Sequence, residues 1–150
     1  MHRYLIILLS ILFINCSEKK NTDWTNQIPT FDDFKTAGFC DTSFKSTNPD
    51  FENSNINSEY RKIVREQFKE SNYYYNCKYL IASIQIAESD RELHIFNAYD
   101  GKFIKTLKHK YGAEFSKESS LIIVDGIEGG KLDELTQFWV MENGKMKKIK

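Results

Sequence analysis

The side chains with the chemistry to build a site are three histidines, three cysteines and two pairs of adjacent acids. His94 and His109 lie in or just after apolar β-type runs, and neither has a second histidine at the short spacing that puts two imidazoles on one metal. Structural or surface roles are therefore expected for both. Asp32-Asp33 and Asp133-Glu134 could do acid–base work or hold calcium, but adjacent acids lack the alternating spacing of a calcium loop and are mostly solvated. Cysteines in a C-x-x-C pair, a G-x-S-x-G turn, a P-loop and a G-x-G-x-x-G after a strand are all missing from the sequence. Gly126-Ile127-Glu128-Gly129-Gly130 reads as a flexible loop rather than a phosphate cradle. No catalytic residue, metal site or cofactor is expected, and the chain reads as non-enzymatic.

The cysteines take their meaning from the N-terminus. Met1-His2-Arg3 is basic, and Tyr4 to Ile14 is apolar apart from Ser10, the layout of a secretory signal. Such a run is too short for a membrane-spanning helix, which needs roughly 20 residues. The chain turns polar at once through Cys16-Ser17-Glu18-Lys19-Lys20. An apolar run that ends at a cysteine before a soluble tail resembles the bacterial lipoprotein signal. That family usually has Leu three residues before the cysteine and a small residue just before it, where this chain has Phe13 and Asn15. The resemblance implies that residues 1–15 are a removable signal peptide and that Cys16 is lipidated and becomes the first mature residue. The protein is then exported and anchored in a bacterial membrane, facing the periplasm or the surface. Several acyl chains, at roughly 0.8 kcal/mol per buried CH₂, would hold it far more firmly than one. An ordinary secretory signal with an incidental cysteine would export the chain equally. Cys40 and Cys77 remain as an even pair in an oxidising compartment. Paired, they would close a loop worth roughly 4 kcal/mol; unpaired, they would be small buried hydrophobes.

The elements that would position these groups follow from composition and periodicity. With 21 basic and 21 acidic residues the chain is neutral, which argues against a general nucleic-acid binder. Its 41% hydrophobic content and 11 phenylalanines are enough for a core. Residues 16–30 read as a flexible tether, and residues 31–150 as a single domain. Within that domain Phe31, Phe34, Phe39, Phe44 and Phe51 are expected to dock onto the main fold. A helix is predicted over about 58–70. Asn57 or Ser58 would cap it, and Tyr60, Ile63, Val64 and Phe68 would form its apolar face. Strands are predicted over about 78–149, with Leu121-Ile122-Ile123-Val124 as a centrally buried one. Asp100-Gly101 and Asn143-Gly144 suit type I′ hairpins. The fold class is therefore α+β: one amphipathic helix on an antiparallel meander of about six strands. The two hairpins lie 43 residues apart, so two blade-like repeats merged into one sheet are an alternative to coincidence. Two blades cannot close a propeller ring.

The order of helix, Tyr79 opening a strand, Ile95-Phe96-Asn97-Ala98-Tyr99-Asp100-Gly101-Lys102, Ser119-Ser120-Leu121-Ile122-Ile123-Val124 and Phe138-Trp139-Val140 resembles a family of small exported bacterial proteins of uncharacterised function. The resemblance covers residues 57–150. That family commonly carries a Gly-Cys-Gly-Thr-Gly-Cys turn after its first strand, and Gln85 to Asp90 stands in its place here. It implies a small exported domain and transfers no activity. Two patches could meet a partner. Tyr73, Tyr74, Tyr75 and Tyr79 would form a sticky surface if exposed, or else help cover the core. Lys145, Lys147, Lys148 and Lys150 could face anionic lipid or merely protect an edge strand. The expected role is a membrane-anchored binding or interaction protein of the envelope with a protein partner there. The alternatives are an inhibitor or immunity protein against an envelope enzyme and an accessory subunit of an envelope complex.

Overall fold

Among the described residues one α-helix, α1, spans Ser58–Glu70, the range that the capping residues and apolar spacing predict. The computed structural model describes residues 23–24, 26–36, 48–70, 74–126, 132 and 134–150. The Asn57 carbonyl accepts the Tyr60 N–H at 3.0 Å, and Glu59 stands in the first turn, where the helix dipole favours an acid. Val64 and Phe68 are buried and Tyr60 packs beside them. Ile63, expected on the same face, is 42% exposed, because the contact follows the i, i+4, i+8 stripe and leaves Ile63 at its flank.

The strands among the described residues number eight in two sheets, rather than about six in one. Sheet I is a meander of β1 (Tyr74–Tyr75), β2 (Tyr79–Gln85), β3 (Arg91–Asn97) and β4 (Phe103–His109). Sheet II repeats that order with β5 (Ala113–Phe115), β6 (Leu121–Val124), β7 (Gln137–Glu142) and β8 (Lys145–Lys148). All six strand-to-strand pairings are antiparallel, and an isolated parallel bridge joins Asp50 to Lys102. The α+β class stands, and the blade-like units are separate sheets rather than one merged sheet. The chain passes from one sheet to the other through Lys110-Tyr111-Gly112, where Gly112 takes φ +147, a conformation that side chains disfavour. The two hairpins differ as well. Asn143 and Gly144, at φ 49 and 75, join Glu142 directly to Lys145, as a type I′ turn requires. At the other, only Gly101 is left-handed, and its N–H reaches the Asn97 carbonyl across a longer loop.

Alternation along the strands builds a layered stack. Tyr75, Tyr79, Ile81, Leu93, Ile95 and Leu107 of sheet I face Ile122, Val124 and Met141 of sheet II. The opposite face of sheet I, with Leu80, Ala82, Ile84 and Phe96, receives α1. The outer face of sheet II, with Leu121, Phe138 and Val140, receives Phe31 and Phe34 from a 3₁₀ turn. Trp24 stacks on Phe34 at 5.0 Å and Pro29 is fully buried, so packing reaches back into the stretch expected to be a tether. Phe51 docks under Arg61 and Arg65, whose guanidinium carbons lie 5.3 and 5.0 Å from its ring centre. Phe39 and Phe44 lie outside the described residues.

β1 is too short to cover all of β2, and α1 completes the edge. The Gln67 side-chain amide donates to the Ser83 carbonyl and accepts the Ser83 N–H, both at 2.8 Å, as a longer neighbouring strand would have done. Replacing Phe68 by Ala should cost about 3–5 kcal/mol in urea unfolding through the cavity it leaves. Ile63→Ala should stay within about 0.5 kcal/mol of the parent. Equal losses for the two would show that α1 does not dock along the Tyr60–Val64–Phe68 stripe.

Candidate functional site

Pairing of β3 with β4 sets Arg91 directly opposite His109. By strand alternation both share the face of Leu93 and Leu107 that looks at sheet II. They lie at the end of the sandwich, beside the crossover and beside Asp125, which follows β6. A cleft of about 380 Å³ opens there, bounded by Ile86, Asp90, Glu92, Lys108, Leu135 and Gln137 together with these groups.

Asp125 fixes the geometry of this end. It sits at φ 51 and is buried. Its Oδ1 accepts the backbone N–H groups of Lys110 and Tyr111 at 2.7 and 2.8 Å, and its own N–H donates to the Gly112 carbonyl at 2.8 Å. The Thr136 hydroxyl closes the cluster by donating to the Asp125 carbonyl at 2.9 Å. One residue thus ties the crossover, through its carboxylate, to the end of β6 and, through its carbonyl, to the approach to β7. The imidazole of His109 is 5% exposed, and neither ring nitrogen has a hydrogen-bond partner. Burial holds its pKa below the ordinary value; Asp125 pulls it up and Arg91 pushes it down.

His94 is the other buried imidazole, on the helix-facing side of sheet I. Its Nδ1 lies 2.9 Å from the Thr106 hydroxyl and its Nε2 3.5 Å from Glu92. Burial lowers its pKa to about 4, so it is neutral near pH 7 and structural in role. Asp33 is a capping residue, accepting from the Thr30 amide at 2.8 Å and from the Thr30 hydroxyl at 2.6 Å, which lowers its pKa. Asp32 pairs with Lys35 at 2.8 Å. Asp133 and residues 127–130 lie outside the described residues.

Of the four tyrosines expected to form a patch, the three described ones are not exposed. Tyr74, Tyr75 and Tyr79 are all buried, because β1 and the start of β2 are sandwiched between the core layers. The Tyr75 hydroxyl crosses to sheet II and donates to the Ser120 carbonyl. Burial raises its pKa. Tyr73 lies outside the described residues, as do Cys16 and Cys40. Cys77 is disulfide-bonded, with its partner also outside them. Its Sγ rests 2.9 Å from the Lys117 carbonyl, a packing contact, since a disulfide sulfur has no proton to donate. The C-terminal lysines lie on and just beyond edge strand β8, and Lys150 donates to the Gln27 carbonyl at 3.1 Å.

Sequence spacing pointed to neither Arg91 nor Asp125; the signals present were the polar turn before Leu93 and the acid that ends the Leu121–Val124 run. No family model, curated protein or solved structure matches the chain.

The buried imidazoles set a pH dependence. Unfolded, each takes a proton near 6.5; folded, His94 resists until about 4, and His109 is also held below 6.5. Their contribution is complete above 6.5 and is lost as the pH falls toward 4. Chemical denaturation across that window should show a fall of about 3 kcal/mol attributable to His94. His94→Gln should flatten the slope, and an unchanged slope would assign it to other groups.

Proposed function

We propose that this chain is an exported lipoprotein of the bacterial envelope, anchored through Cys16 and acting as a non-catalytic binding module. One observation carries the anchor: a basic start, an apolar run interrupted only by Ser10 and a cysteine at the point where the chain turns polar. Packing that begins by Trp24 is consistent with it, since eight residues from Cys16 reach at most about 28 Å. The domain would then work close to the membrane surface. The cleft at the end of the sandwich supports the binding role, because it joins an unsatisfied buried imidazole to charged and apolar walls.

Cells fed labelled palmitate should incorporate the label into the protein, and Cys16→Ser should abolish incorporation and move the protein out of the membrane fraction. A labelled or fully retained variant would overturn the anchor. Cys77 is disulfide-bonded, and export supplies the oxidising conditions; Cys40 is its proposed partner. Protein purified from the envelope should therefore show no free thiol before reduction, and reduction should cost about 2–5 kcal/mol of stability. Free thiols in the unreduced protein would refute the pairing.

A further inference from the structure

His109 presents an unmet demand. A buried polar group without a partner costs about 1–3 kcal/mol, and both of its ring nitrogens are in that state. Most of the neighbouring charge is already engaged. Asp125 gives one oxygen to two backbone amides. Glu92 lies between Lys108, at 3.9 Å, and His94. Among the described residues Arg91 and Lys110 have no carboxylate at ion-pair distance, and the one wall acid left without a bond to its side chain is Asp90. The wall sets three cations, Arg91, Lys108 and Lys110, against three acids, Asp90, Glu92 and Asp125, and leaves the Arg91 guanidinium without an ion pair. The rim is apolar: Ile86 and Leu135 are 40% and 41% exposed.

We propose that the cleft binds a small monocarboxylate with a compact apolar body, its carboxylate held by the Arg91 guanidinium and the His109 imidazole and its body resting on Ile86 and Leu135. A guanidinium fork matches the two oxygens of a carboxylate. The imidazole, directly across the strand pair, supplies a second donor and gains the partner it lacks. The apolar rim of Ile86 and Leu135 favours an organic acid over inorganic phosphate or a bare ion. The size falls within the range of small-ligand sites. A bound carboxylate would also offset the burial that depresses His109, so binding should raise the pH at which that ring takes its proton.

This inference rests on the reading of the chain as a binding protein, and its test is separate from that of the anchor. The purified full-length protein is titrated with benzoate, benzylamine and inorganic phosphate while the His109 ring proton is followed by NMR over about pH 5 to 8. Benzoate should shift the resonance saturably and raise its titration midpoint, whereas benzylamine and phosphate should leave both unchanged. Arg91→Gln, at an exposed position that the core does not need, should weaken benzoate binding about tenfold or more. Cys16→Ser should bind benzoate as the parent does, so loss of the anchor and loss of the site are read apart. Absence of a saturable shift with benzoate, an equal response to benzylamine or phosphate, or an Arg91→Gln variant of unchanged affinity would overturn the proposal.

Discussion

Ile95 and Phe96 are consecutive residues of β3, they point to opposite faces of sheet I, and both are fully excluded from water. A sheet with such a pair at its centre cannot leave either face solvated, since each exposed side chain would forfeit about 1.5–3 kcal/mol. Sheet II has to cover one side and α1 the other. On the helix side Phe96 gathers Phe51, Phe68 and Phe103 in edge-to-face contacts at 6.1, 5.8 and 5.7 Å. On the other side Ile95 meets the Ile122 and Val124 layer, and Tyr75 adds the polar tie to Ser120. The remaining architecture answers that double demand. Gln67 completes the edge that β1 leaves short, and the Phe31–Phe34 turn closes the outer face of sheet II.

The same layering produces the cleft. Two sheets joined by a three-residue crossover must part at the end where the chain turns between them, and Asp125 holds that turn with its carboxylate. His109 is the last residue of β4 on the inter-sheet face. It comes just after Leu107, where apposed apolar side chains still fill the space, and just before the crossover amides that Asp125 has claimed. It is thus deep enough to lose water and too far along to gain a protein partner. A buried imidazole at such a boundary is costly for stability alone, and that cost is what gives a ligand something to offset.

Local signals made part of this legible. The α1 boundaries follow from capping and a 3.6-residue stripe, and Leu121–Val124 declares itself as a strand covered on both faces. Other features depend on long-range pairing. The count of eight rests on β1 and β5, two and three residues long, which carry too little pattern to be seen, and the division into two sheets on the crossover that keeps β4 and β5 from pairing. Tyr74, Tyr75 and Tyr79 have amphipathic side chains whose burial is decided by what lies above them, not by their neighbours in sequence. Arg91 and His109 become a pair only through register, because a one-residue slip between β3 and β4 would leave them on opposite faces of the sheet.

Register also relates the cleft to the N-terminus. The backbone of Phe34–Thr36 is hydrogen-bonded to Glu118 and Ser120 at the start of β6, and Trp24 folds back onto Phe34. The cleft lies beyond the other end of β6, at Asp125, about 17 Å away at the usual strand rise. A lipid on Cys16 would therefore pull on the molecule from the pole that holds Phe34 and Trp24. A tether reaching about 28 Å exceeds that separation, so the opposite pole, with Arg91, His109 and the apolar rim, would be free to turn away from the bilayer, where a soluble ligand can reach it. An anchor at the cleft end would instead press Ile86 and Leu135 against lipid, and the exposure of that rim would serve the membrane rather than recognition.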